Sequence, residues 1–233
     1  MRATGLVSHP LALVWSAHGH ALLRPSPSAA SVGGGGARPG GPGSRVGAAR
    51  GRPRGGAHAG ARLGKGKFLV ASRTLRDPTF SQTVILLVDY DRDAGAIGVV
   101  VNRPSEVALV DALPELRELR KRKDVIYLGG PVGLDRMLLL VRTRDQPPQS
   151  LRIFDRVFAS GSLAALRRSM THGDAVRAYA GYAGWGPGQL DREVDRGDWF
   201  VGSADSDAVF SDRPSRVWDD LIDRFSGDWA SLR

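Results

Sequence analysis

One histidine, His172, stands between residues 63 and 233, and the whole 233-residue chain has no cysteine. These two facts remove most familiar chemistries at once. Thiolate nucleophiles, disulfides and Cys-based metal sites are excluded. A Ser–His–Asp triad would have to use His172, which sits beside Gly173 near a predicted helix end. There a cationic side chain suits the helix dipole without any catalytic role. Zinc would need that histidine plus carboxylates alone, a poor donor set, so no metal site is expected. Asp89, Asp91, Asp93 and Gly95 imitate a calcium loop, but an EF-hand needs glycine where Ala94 stands and glutamate where Val100 stands. A solvated hairpin turn accounts for the same residues. The acidic groups Asp191, Glu193 and Asp195, and Asp219, Asp220 and Asp223, suit exposed helix faces better than acid/base dyads. Catalytic residues stay unassigned, and no cofactor is expected.

The segment Gly181-Tyr182-Ala183-Gly184-Trp185-Gly186-Pro187-Gly188-Gln189-Leu190 packs four glycines, a proline and two aromatics into ten residues. Such a run makes a poor helix or strand interior and encodes one particular backbone shape. It is no phosphate loop: Gly-Lys-Ser/Thr is missing, and Gln189 takes the last glycine place of a GxGxxG match begun at Gly184. Two readings stay open. Its N–H groups beside a helix start at Pro187 could hold an anion, or the turn could serve to fix Trp185 in the core. The basic run Arg117, Arg120, Lys121, Arg122, Lys123 is the best nucleic-acid candidate in the folded part. It lies at a predicted helix C-terminus, where positive charge is favourable anyway, and neither a helix-turn-helix pattern nor interleaved aromatics accompany it. Direct sequence-specific DNA binding is not expected.

Charge divides the chain in two. Residues 1–67 carry eight arginines and two lysines with no acid, while the remainder carries 23 basic and 24 acidic side chains, so the net +9 belongs to the leading segment. Residues 1–62, rich in Gly, Arg, Ala and Pro, offer too little apolar surface to offset chain entropy and read as a disordered tail. Arg-rich and acid-free, the tail resembles an organelle transit peptide, with a weaker likeness to a secretory signal. Equally, the true start could lie downstream. A lone Arg54-Gly55-Gly56 is not an RGG array. Residues 63–233 read as one domain. With no cysteine and no membrane-length apolar run, a cytoplasmic protein is the expectation.

Within that domain the spacing predicts strands over 67–72, 83–88 and 96–101, the latter two joined as a hairpin through Asp91–Gly95. Asn102-Arg103-Pro104 should end the third strand. A helix over 105–123 is predicted, capped by Ser105 and kinked near Pro114. Strands over 125–128, 136–142 and 151–158 follow. A helix then starts after Ser160 or Ser162 and runs to Met170, and a strand over 176–182 leads into the glycine segment. Pro187 fits a first helical position, Gly197 the place just past that helix, and residues 198–201 a strand. An amphipathic helix over 213–225 closes the chain. Strands cluster rather than alternating with helices, so the fold class is α+β.

Several blocks in order carry a family resemblance. They are Gly66-Lys67-Phe68-Leu69 with Asp77-Pro78-Thr79-Phe80, Gly95-Ala96-Ile97-Gly98 through Asn102-Arg103-Pro104, Gly129-Gly130-Pro131-Val132, the Gly181–Leu190 segment, and Trp199. Together they resemble the YqgE/AlgH family of bacterial proteins over residues 66–225. The resemblance implies a single α+β domain with a barrel-like mixed β core flanked by helices. It brings no agreed reaction: members are mostly uncharacterised, and one branch carries a transcriptional-regulator label that describes a phenotype. Tyr90 stands where members often have His, a second common His is missing from the Leu138–Leu140 strand, and the cysteine of some members is absent.

The expected ligand surface gathers Asn102 and Arg103, the Gly129-Gly130 turn, and Gly184, Trp185, Gly186, Gly188 and Gln189. Arg103 would supply charge, Asn102 and Gln189 amide hydrogen bonds, and Trp185 a stacking face. The expected function is non-catalytic binding of a small ligand, or regulation. Two alternatives stay open: an enzyme of unknown reaction using Arg103 with a carboxylate such as Asp77, and transcriptional control through a protein partner.

Overall fold

A run of residues that stay buried on both faces builds the centre of the molecule. The computed structural model describes residues 62–230, with side chains through Phe225. Strands β1 (Lys67–Ala71), β2 (Val84–Asp91) and β3 (Gly95–Val100) form an antiparallel meander. Phe68, Leu69, Val70, Val84, Ile85, Leu86 and Leu87 are fully buried, as the unbroken apolar runs demand. The β2–β3 turn is the solvated Asp turn: Asp91 Oδ1 accepts from the N–H groups of Asp93 and Ala94 at 2.8 and 2.9 Å.

After β3 the chain departs from the expected long helix. Pro104 opens strand β4 (Pro104–Ala108), a first-residue place where its missing N–H breaks no ladder. Ser105 is no helix cap; its hydroxyl donates to the Ile126 carbonyl at 2.7 Å and so stitches β4 to β5 (Val125–Leu128). Between them lie only the short helix α1 (Leu109–Ala112) and a 3-10 turn, Arg117–Lys121. Pro114 and the short apolar periodicity explain the break: Leu109, Leu113, Leu116 and Leu119 are buried as hooks rather than as one stripe.

Strand β6 (Val132–Arg142) is followed by β7 (Ser150–Phe154) and β8 (Val157–Ser160), two strands where one was expected over 151–158. Asp155, at φ 39°, makes the tight turn that separates them. Helix α2 (Leu163–His172) begins at Ser162, whose hydroxyl accepts from Ala164 N at 3.2 Å, and ends at Gly173 in the left-handed conformation. Leu166 is buried, whereas Leu163 stays exposed.

Strand β9 (Ala175–Trp185) holds the fold together. Its first half lies between antiparallel β6 and parallel β5; its last three residues pair with β3. The strand expected over 176–182 therefore runs on through the glycine segment to Trp185, because Gly181 (φ 71°) lets it bend and continue. Helix α3 (Gln189–Arg196) starts one residue after Gly188, so Pro187 lies in the preceding turn, and Gly197 ends it in the left-handed conformation. Strand β10 (Trp199–Ser203) returns against β1. Helix α4 (Ser206–Val209), a 3-10 turn over Pro214–Arg216 and helix α5 (Val217–Ala230) follow, with α5 against β1 and β10.

The result is a ten-stranded sheet in the order β10-β1-β2-β3-β9-β6-β8-β7, with β4 and β5 branching from β9. It curls until Gly66, at the start of β1, lies against Ile153 and Phe154 of β7, giving a single domain with a half-barrel core flanked by helices. One apolar cluster fills the β1–β3 side under α5; a second lies between α1, the 3-10 turn, α2 and the β5–β9–β6 face. Residues 1–61, all but the last residue of the expected tail over 1–62, lie outside the described residues. Among the described residues, no helix is long and apolar enough to cross a membrane.

The Tyr127 and Tyr179 rings meet at a tilt of 50° across β5 and β9 with centroids 5.5 Å apart, and the Tyr179 hydroxyl is buried without a hydrogen-bond partner among the described residues. Burial pushes both phenols above the ordinary tyrosine range, Tyr179 most, although the Arg177 guanidinium beside them pulls the other way. Tyr90 is raised too, by burial and then by its hydrogen bond to Asp191. An unfolded chain loses these protons near pH 10 whereas the folded chain keeps them, so the unfolded state is favoured as pH rises. Melting temperature should hold level below about pH 9.5 and fall above about pH 10. Tyr179→Phe, which strands no partner, should flatten that fall; an unchanged slope would count against Tyr179 as its source.

Candidate functional site

The fold itself takes up the polar atoms of the expected ligand residues. Asn102 Oδ1 accepts from Val84 N at 2.9 Å and its Nδ2 donates to the Gln82 carbonyl at 3.0 Å, so this buried amide stitches the end of β3 to the start of β2. Arg103 forks onto the carbonyls of Thr79 and Ser81. Burial lowers its pKa from the ordinary arginine range, while Asp77 nearby acts in the opposite sense. Asp77 is itself engaged: Oδ1 accepts from Thr79 N at 2.7 Å and Phe80 N at 3.2 Å, leaving it a poor partner for acid/base work with Arg103. Arg103 and Asp77 thus grip the same turn from two sides.

That turn presents Phe80 to the tryptophans. Its ring lies 6.5 Å from Trp185, stacked, and 5.9 Å from Trp199, edge-on; the two indoles meet edge-on at 6.2 Å. Both indole N–H groups donate to one carboxylate oxygen, Glu193 Oε2, each at 2.9 Å. Gln189 Nε2 donates to the other oxygen at 2.9 Å, and Gln189 Oε1 accepts from Gly186 N at 3.1 Å. Glu193 is thus the hub of the cluster, which corrects its expected place on an exposed face. The local pattern held the signal: Glu193 is four residues after Gln189 and one helical face from Leu190 and Val194, between two tryptophans. Asp191 likewise turns inward, accepting from the Tyr90 hydroxyl at 3.1 Å. Asp195 stays exposed.

The glycines are close-approach positions. A side chain at Gly129 or Gly130 would run into the backbone of Gly181 or Tyr182 at under 3.0 Å. Gly129 N donates to Ala180 O and its carbonyl accepts from Val100 N, both at 2.8 Å. Gly188 N donates to Arg92 O at 2.9 Å, so the N–H groups considered for an anion are already partnered at Gly186 and Gly188. Gly184 is exposed and pairs with Ile97 on β3.

A cavity lies elsewhere, at the far end of the β6–β9 ladder. A cleft of about 970 Å³ is lined by Arg142, Thr143, Arg144, Asp145, Arg152, Asp155, Arg156, Arg168, His172, Gly173, Asp174, Ala175 and Ser206. The β7–β8 turn, the end of β6 and the C-terminal turn of α2 form its walls. Five arginines face three aspartates here, although residues 68–233 together are almost charge-neutral. Arg142 pairs with Asp207 at 2.7 Å, Arg168 sits 3.8 Å from Asp145, and Arg152 Nε donates to the Asp155 carbonyl at 2.7 Å. The exposed side chains of Arg144 and Arg156 have no ion pair or hydrogen bond among the described residues. His172 is a wall residue whose Nδ1 lies 2.7 Å from the Arg168 carbonyl. Among the described residues, no three His, Asp or Glu side chains group as a metal site.

Of the basic run over 117–123, Arg122 is tied to Asp124 by its guanidinium. The rest decorates a 3-10 turn whose Leu119 is buried, and no recognition helix stands there.

The comparisons agree with this architecture. An AlgH-like family description matches residues 68–230. A UPF0301 protein of Streptomyces coelicolor is 36% identical over 173 residues, spanning 72% of this chain and 89% of the relative. Among solved structures, a Corynebacterium diphtheriae protein superposes with a TM-score of 0.62 at 26% identity, covering 70% of this chain and 88% of that one. The solution structure of the AlgH protein from Pseudomonas aeruginosa gives 0.57 at 30% identity, covering 69% and 87%. With the match spanning the whole half-barrel from β1 to α5, the chain belongs to the AlgH-like family.

Proposed function

We propose that the protein is a non-catalytic cytoplasmic binding protein for a small, multiply charged anion, which it holds in the arginine-lined cleft. One observation carries this: among the described residues Arg144 and Arg156 stand unpaired on a concave surface where three further arginines converge. Guanidinium forks favour carboxylate and phosphate oxygens, and a cleft strengthens their field over that of a flat surface. The Asn102–Arg103–Gln189 region supports the fold in this reading, since its amides and guanidinium already hold backbone and side-chain partners. The cytoplasm is proposed on the cysteine-free sequence.

The test is thermal denaturation of the full chain at low salt with citrate and inorganic phosphate, against the Arg144→Ser/Arg156→Ser variant. Saturation near a hundredfold excess over Kd should raise stability by about 2.7 kcal/mol, or roughly 5–10 °C for a domain of this size. The variant should lose most of that rise while melting normally without ligand, because both side chains are exposed. Equal shifts in both proteins, or none in either, would reject the cleft as the binding site.

A further inference from the structure

The composition of the cleft narrows the ligand further. Small-molecule pockets are mostly apolar, with a few placed polar groups, and nucleotide sites commonly give the base an aromatic or apolar wall. Among the described residues no Phe, Tyr or Trp lines this cleft, its one ring is the His172 imidazole at the rim of α2, and Ala175 is its only hydrocarbon side chain. Everything else offered to a ligand is guanidinium, carboxylate, imidazole, hydroxyl or backbone. The cationic groups are also spread out. Arg142 and Arg144 come from the end of β6, Arg152 and Arg156 flank the Asp155 turn, and Arg168 comes from α2. Such a distribution matches charge repeated along a ligand better than charge concentrated at one end.

Resting on the anion-binding reading above, we infer that the cleft takes a linear phosphoanhydride without a base, of the inorganic tripolyphosphate type. Each phosphoryl group brings oxygens that a guanidinium can grip in pairs, and successive groups reach successive arginines. Arg144 and Arg156 are available at once. Arg142 and Arg168 would exchange exposed aspartate partners, Asp207 and Asp145, for the ligand, at little cost because exposed ion pairs are weak. A nucleoside would gain little here, because no Phe, Tyr or Trp and no broad apolar wall receives the base.

Isothermal titration of the full chain separates these claims, using inorganic tripolyphosphate, ATP, adenosine and citrate, each also against Arg144→Ser/Arg156→Ser. The variant keeps the arginine-rich leading segment, so loss of binding reports the cleft. Tripolyphosphate should bind at least tenfold more tightly than citrate, ATP no more tightly than tripolyphosphate, and adenosine not at all. The variant should weaken tripolyphosphate about tenfold or more. A received base would add about ten- to a hundredfold, so ATP that much tighter than tripolyphosphate would overturn the base-free assignment and leave anion binding standing. Citrate matching tripolyphosphate would overturn the phosphoanhydride assignment alone. Tripolyphosphate binding equally to both proteins would overturn both.

Discussion

Glu193→Ala should lower the melting temperature by roughly 5–15 °C, because it strands two buried donors at once. Trp185 and Trp199 are 7% and 3% exposed, and their indole N–H groups share the single acceptor Glu193 Oε2. A buried donor left without a partner costs about 1–3 kcal/mol, so two place the loss at about 2–6 kcal/mol before repacking. Glu193→Gln keeps one oxygen for the indoles but sets an amide NH2 against the Gln189 NH2, and its cost should be roughly half as large. Denaturation followed by tryptophan fluorescence reads both variants, since the change occurs around two of the chain's five tryptophans. A Glu193→Ala protein as stable as the parent would show that the indoles find other acceptors, and the hub assignment would fall.

Gly130→Ala should be more damaging still. Its φ of 154° lies where side chains are rarely accommodated, and a Cβ there would meet the backbone of Tyr182 and Ala183 rather than any movable side-chain tip. Relief would require β9 to move away from the β5–β6 connection, loosening the ladder in which Gly129 bonds to Ala180 and Val100. A cost of about 3 kcal/mol or more is a large share of a typical 5–15 kcal/mol stability. The expected result is a melting temperature lower by about 10 °C or little folded protein at all. Gly184→Ala is the control: its Cβ would meet only the Tyr182 ring at ordinary contact distance, so it should melt within a few degrees of the parent. If the two variants melted alike, close approach at Gly130 would not be the reason for its glycine.

The half-barrel was legible where sequence signals are local. The unbroken apolar runs of β1 and β2, the Asp91 turn, the Ser162 cap and the Gly197 stop all act within a few residues, and each appears as expected. Family resemblance supplied the rest of the architecture. Longer-range pairing was not legible. Pro104 reads as a stop because its use as a strand's first residue depends on β5, twenty residues later; the strand expected to end at Tyr182 runs on to Trp185 because residues 183–185 pair with β3, far earlier in the chain. Of the candidate residues, Asn102, Arg103 and Trp185 meet the turn over residues 79–82, whereas Gln189 joins it only through Glu193. Their partners were not readable: an amide that will bind a ligand looks the same in sequence as one that holds Val84. The arginine cleft was missed for a related reason. Reading 151–158 as one strand sends Arg152 and Arg156 to opposite ends, whereas the Asp155 turn brings both to one wall.

Strand β9 also dictates when this molecule can be finished. β3 waits for residues 183–185, and β5 waits for residues 178–180, roughly ninety and fifty positions further along. During synthesis the greasy meander of β1–β3 therefore leaves the ribosome with one flank open, and β10 and α5, which cover its other side, emerge later still. A nascent chain in that state carries adhesive edges for several seconds at ordinary translation speeds. Yield in the cell should consequently depend on chaperone supply more than the finished domain's modest size suggests.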